Sequence, residues 1–220
     1  MTIYTTRLEA RRTEIEMAFP EFFAAAPRIV VIDPLARFLG AGDGTIEYGY
    51  ADAVRLAGHS CPTVASAYLM TRGALRALYP AALPERGTIR VEVAAERTEG
   101  VVGVVANVAC LITGAAGDTG FKGIGPRFDR RGLLAFGAGI DGQMRFTRLD
   151  TGHAVVTSAR LERVASDPRM PALLPRCLDE SATAGEVALF GSLWQARVRS
   201  LLLEYADDPQ TIVVIPQRVS

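Results

Sequence analysis

The stretch Ala57-Gly58-His59-Ser60-Cys61-Pro62-Thr63 constrains the fold more than any other part of the chain. Proline holds φ near its helical value and has no N–H to leave unpaired, so Pro62 suits the first position of a helix. From there Val64, Tyr68, Thr71, Leu75 and Leu78 recur at helical spacing until Pro80 and Pro84 stop the pattern, which predicts a helix over residues 62–79. Tyr48, Tyr50 and the glycines before them read as strand and turn, so the chain is expected to pass directly from extended to helical structure here. Cys61 then falls at or beside the N-cap, among unpaired N–H groups and the positive end of the helix dipole. A thiol in such a place is a candidate nucleophile or metal ligand. His59, one of two histidines, adds a second soft ligand or a proton acceptor two residues away. Gly-His and Cys-Pro are also ordinary loop pairs, and free cysteine is often simply buried.

The remaining pattern alternates short extended pieces with helices. Residues 6–26 read as a first helix with Leu8, Ile15, Phe19 and Phe22 on one face and a kink or break at Pro20. Residues 28–33 and 45–50 read as strands around a glycine turn at 40–44, which lacks the Lys-Ser/Thr ending of a phosphate loop. Further strands are expected at 88–95 and 101–111, the second apolar on both faces like a central strand and ending at Cys110. Residues 113–125 hold five glycines together with Asp118, Thr119 and Lys122, which is either a plain connection or a loop that lets backbone approach a ligand. Strands at 133–138, 144–149 and 154–164 come next, with hairpin turns at Asp141-Gly142 and Thr151-Gly152. His153 opens the last of these and receives no role. Pro168, Pro171 and Pro175 punctuate a short helical region containing Cys177. Residues 186–205 form an amphipathic pattern with Val187, Phe190, Trp194, Val198, Leu201 and Tyr205 on one stripe, and 212–215 close with a strand.

The expected fold class is therefore α+β: a mainly antiparallel sheet with helices packed on one face and a helical C-terminal segment. Residues 1–165 are read as the core, and residues 166–220 as a helical extension that packs on the core or on the other protomer of a homodimer. With 220 residues, 49% of them apolar, the chain can bury a sizeable core. Lys plus Arg and Asp plus Glu number 24 each, so no basic excess points to nucleic acid or to an acidic membrane surface. The apolar runs are strand-length and too short to span a bilayer. Three cysteines make an odd count without an export signal, so no disulfide framework is expected and the cytoplasm is the expected compartment.

The elements Gly58-His59-Ser60-Cys61-Pro62, a helix, two strands and Cys110 together resemble the FmdE-like family, which takes its name from a component of formylmethanofuran dehydrogenase. That family combines a GHxCP helix start with a strand-end cysteine, followed about nine residues later by Thr-Gly and a lysine- and glycine-containing loop. Thr119-Gly120, Lys122 and Gly123 stand at that spacing after Cys110, and the likeness covers roughly residues 48–136. Phe121 and Thr113 replace a cysteine and an aspartate that many members carry, and the C-terminal zinc ribbon of many members is absent. The resemblance implies a metal, typically zinc, held by His59, Cys61 and Cys110 with a position left open for water or a small molecule.

Three functions stand as expectations. The first is a metal-binding protein, with zinc or another transition metal on His59, Cys61 and Cys110, doing metal-assisted chemistry or binding a small molecule. The second is a thiol enzyme or redox sensor in which Cys61 is the nucleophile, His59 its base and Cys110 a resolving partner. The third is a non-catalytic ligand-binding or assembly module that uses the glycine-rich loop, with Asp118, Thr119 and Lys122 as ligand contacts.

Overall fold

The computed structural model describes residues 19–217. Leu8, Ile15 and most of the expected first helix lie outside them. After Pro20 comes a single helical turn, α1 (Phe22–Ala25). The chain continues through β1 (Ile29–Ile32), α2 (Pro34–Phe38), β2 (Thr45–Tyr48), α3 (Tyr50–Ala57), α4 (Pro62–Leu78), β3 (Ile89–Val93) and α5 (Val102–Thr113). It ends with β4 (Leu134–Ala135), β5 (Met144–Arg148), β6 (Ala154–Ala159), α6 (Met170–Leu178), α7 (Ala184–Leu203) and β7 (Ile212–Gln217).

The architecture is α+β. Strands β1 and β2 form an antiparallel pair, and the main sheet runs β4-β3-β5-β6-β7, with β3 and β4 parallel and the other neighbours antiparallel. Alternation along β3 and β5 decides its faces. Val91 lies opposite Phe146 and Val93 opposite Met144 on the core side, while Glu92 faces Arg145 on the other and accepts two hydrogen bonds from its guanidinium. Helix α4 packs across β6 and β7, and α5 lies beside it against β3. The expected stripe of α4 is buried throughout: Val64, Tyr68, Thr71, Leu75 and Leu78 are each at most 4% exposed. Its other faces combine small residues such as Ala65, Ala67 and Ala74 with the buried Leu69 and Met70. A Cβ on Gly73 would come within 2.9 Å of Val214 Cγ2, so glycine here lets β7 pack directly on the helix.

Two expectations about this region are corrected. Residues 101–111 are not a central strand; they are α5, capped at its end by Gly114 in the left-handed conformation (φ 73°). The run Val101-Val102-Gly103-Val104-Val105 carries strand propensity, but helix α5 is wedged between α3, α4 and β3 and can be apolar on most sides. Cys110 therefore sits in the last turn of a helix rather than at a strand end. Asp141-Gly142 does not join a hairpin either, because β4 pairs parallel to β3 and is not a neighbour of β5. The Thr151-Gly152 turn does join an antiparallel pair, β5 and β6. A further helix, α3, follows β2 in a stretch where the sequence pattern predicts no element, so the chain does not pass directly from strand to α4; Asp52 caps it by accepting from the Gly49 N–H at 2.8 Å.

One buried ionic cluster ties distant segments together. Asp33, 3% exposed, caps α2 by accepting from the Leu35 and Ala36 N–H groups, and it receives Arg86 at 2.5 Å and Arg130 at 2.7 Å. Arg86 also donates to the carbonyls of Leu111 and Ile112 at the end of α5. Burial by itself would raise the Asp33 carboxyl, but the Arg130 and Arg86 guanidinium groups hold it below the usual carboxylate range.

Removing the charge with Asp33→Asn leaves two guanidinium groups buried without their counter-ion, and a loss of about 3 kcal/mol in urea unfolding at neutral pH is expected. A depressed carboxyl contributes its full stability above about pH 4 and loses it as pH falls through the lower folded value. Wild type should therefore weaken steeply below that pH, and the variant should lack this part of the acid transition.

Candidate functional site

The His59–Cys61 segment is a tight bridge between two helices. Helix α3 ends at Gly58, whose φ of 75° lies in the left-handed region that glycine adopts without strain, and the chain turns back at once. Cys61 is extended (φ −151°, ψ 167°) and is the N-cap of α4, with Pro62 at the first helical position as its sequence predicts. The thiol takes the place usually given to a serine or aspartate oxygen: Sγ accepts from the Val64 N–H at 3.4 Å.

His59 completes a pair. Its Nε2 lies 3.3 Å from Cys61 Sγ, and its Nδ1 lies 3.0 Å from the Ala57 carbonyl oxygen. A carbonyl can only accept, so that contact places the proton of the neutral ring on Nδ1 and leaves the Nε2 lone pair facing the thiol. Cys61 is 8% exposed, whereas His59 lies on the surface. The sulfur is thus largely buried, beside an imidazole that is exposed.

Ser60, between them, is held from both sides. Its hydroxyl donates to Gln195 Oε1 at 2.9 Å and, having one hydrogen, must accept from the Tyr50 hydroxyl at 3.0 Å. Burial pushes the Tyr50 hydroxyl far up, so it remains protonated and able to donate. The Ser60 carbonyl accepts from Trp194 Nε1 and Gln195 Nε2, each at 3.1 Å. The C-terminal segment therefore packs on the core: α7 clamps the loop, and Val198, Leu201 and Leu202 join the common interior.

The other expected residues lie apart from this pair. The Cys110 thiol is half-buried in α5, and burial pushes it up to about 11. No group of three or more His, Cys, Asp or Glu side chains is placed to hold a metal ion among the described residues, so His59, Cys61 and Cys110 do not converge. A structural or catalytic zinc needs three or four protein donors. The described residues bring two such donors together, His59 and Cys61.

Asp118, Thr119 and Lys122 lie in the loop after α5, largely at the surface. The glycine at its start brings backbone close to Arg130, not to a ligand cradle: a Cβ on Gly114 would stand 2.8 Å from the guanidinium Nη1. His153 is an exposed turn residue, and Cys177 is a half-buried free thiol in α6. Sequence reasoning missed Tyr50, Ser60, Trp194 and Gln195 as a unit, because the serine and the clamp are 134 and 135 positions apart.

No family model matches the chain, and no curated protein aligns with it.

The clamp can be read by its own fluorophore, since Trp194 is the single tryptophan. Tyr50→Phe removes the donor to Ser60 and should cost about 1 kcal/mol. A red shift of Trp194 emission in the folded variant, measured together with urea unfolding, checks that the loop has loosened.

Proposed function

We propose that this chain is a thiol-dependent enzyme in which Cys61 is the nucleophile and His59 its general base. The observation that carries the reading is the 3.3 Å contact between Sγ and Nε2, with Nδ1 held on the Ala57 carbonyl. Nucleophile, base and an acceptor that orients the base recur wherever a side-chain thiol or hydroxyl is activated. Here a backbone carbonyl is the orienting acceptor.

In this reading the S–H bond breaks and its proton passes to Nε2. The sulfur forms a bond to an electrophilic carbon, as in an activated acyl group, and the bond to the leaving group breaks with its electron pair. The imidazolium returns the proton to that group. Water then adds to the same carbon, and the thiol is regenerated. Cys61, Cys110 and Cys177 are all free thiols, so Cys61 is available as a single nucleophile.

The test is alkylation by iodoacetamide at about pH 7.5, near the working range of an imidazole base, followed by peptide mass spectrometry. Cys61 should react first and Cys110 should lag, gaining reactivity only as pH rises toward its own titration. His59→Gln should slow Cys61 by about tenfold or more. Equal rates at Cys61 in wild type and variant would remove the base from the scheme.

The same pair supports a second reading, a metal-binding protein with small-molecule binding or metal-assisted chemistry. A thiolate and an imidazole side by side are soft donors of the kind zinc takes. Such an ion would need further donors from outside the described residues, for instance from a second copy in a homodimer. Elemental analysis of untagged wild type and Cys61→Ala is the measurement: about one zinc per one or two chains, lost in the variant, is expected on this reading. Metal-free wild type after reconstitution under reducing conditions rejects it.

A further inference from the structure

Helix α4 borders a cavity of about 230 Å³ that neither Cys61 nor His59 lines. The walls include Ser66 and Met70 on α4, Val93 on β3, Val105 on α5, Gln143 before β5 and Ala159 at the end of β6. The apolar side chains make most of the surface, and none of the lining residues is ionisable. Carboxylates, phosphates and ammonium groups would enter without a counter-charge and lose their hydration, which is costly.

The polar contribution is narrow. Ser66 Oγ already donates to the Thr63 carbonyl at 3.0 Å. Gln143 Oε1 accepts from the Ala159 N–H at 3.0 Å, which fixes the amide and leaves its NH₂ group as a donor at the exposed rim. Thr63 adds a hydroxyl to the lining, and an apolar chamber with a few such polar groups is the usual form of a small-molecule site. A cavity of roughly 150 Å³ takes benzene, so this one has room for about nine non-hydrogen atoms.

We propose that this cavity binds a small uncharged molecule, an aromatic or branched apolar body carrying one acceptor oxygen that meets the Gln143 amide. The site is separate from the Cys61–His59 pair, so it stands or falls independently of the thiol reading.

The probes are acetophenone, which is neutral with one carbonyl, and benzoate, which has the same size and a charge. Binding is followed by methyl ¹H–¹³C shifts of Met70, Val93 and Val105. Acetophenone should saturate one site and move these methyls together, with benzoate at least about tenfold weaker because its charge finds no partner there. Val105→Phe fills the chamber and should abolish the shifts in a protein that circular dichroism shows to be folded. Gln143→Ala lies on the rim and does not depend on core repacking. It should weaken acetophenone about tenfold while leaving toluene unchanged, the loss of one hydrogen bond. Cys61→Ala should bind acetophenone as wild type does. Shifts scattered over the surface, benzoate binding as tightly as acetophenone, or Gln143→Ala weakening both neutral probes equally would each overturn the proposal.

Discussion

The burial of α4 on nearly every side is the constraint on which the other elements depend. A surface helix needs one apolar stripe, but this one meets α3, α5, α7, β6 and β7 and so must be small or apolar around most of its circumference. Ala65, Ala67 and Ala74 let neighbours approach, and Tyr68 fills the interior while its hydroxyl donates to the carbonyls of Pro27 and Tyr48. With the helix body fixed in this way, its N-terminus and its two flanks become the places where side chains can be offered to small molecules. The Cys61–His59 pair occupies the first and the neutral cavity lies along one of the second.

Polar interactions over long sequence distances hold the pieces that α4 does not. The Asp33 carboxylate draws Arg86 and Arg130 into the interior, and Arg86 passes the link on to the last carbonyls of α5. Apolar side chains of similar volume would stabilise the site as well or better. What an ion cluster adds is direction, because a guanidinium has a fixed fork that must meet its acceptors in one geometry. The Ser60 clamp works by the same logic on a smaller scale. Four hydrogen bonds shared with Tyr50, Trp194 and Gln195 converge on one residue, and they fix the backbone on either side of which His59 and Cys61 project.

The chemistry of the pair comes from its placement. Cys61 is the cap of α4 and cannot move without releasing the Val64 N–H, while His59 is anchored through Nδ1 and exposed at its edge. A buried sulfur beside an exposed imidazole is the arrangement on which the proposed thiol chemistry rests.

Much of this was legible from local chemistry. Pro62 announced the start of α4 and the N-cap position of Cys61, and proline and spacing set its length; a closing helix and strand also stand where expected, but of the expected helical stripe only Val198 and Leu201 are fully buried and Val187 is exposed. These features depend on residues within a turn or two of one another. Residues 101–111 mislead because a valine-rich run without alternation suits either a buried strand or a buried helix, and only its neighbours decide between them. With that helix, Cys110 moved away from the site the motif resemblance implied. The parallel pairing of β4, the Asp33 cluster and the Ser60 clamp were invisible for a related reason: each joins segments far apart in the chain, and nothing in a local pattern tells which partner an arginine or a tryptophan will meet. The sequence by itself determined the helix that carries the thiol and put the imidazole within reach. Tertiary packing alone decided that, among the described residues, these two donors stand together without a third, because that depends on how distant elements settle around α4.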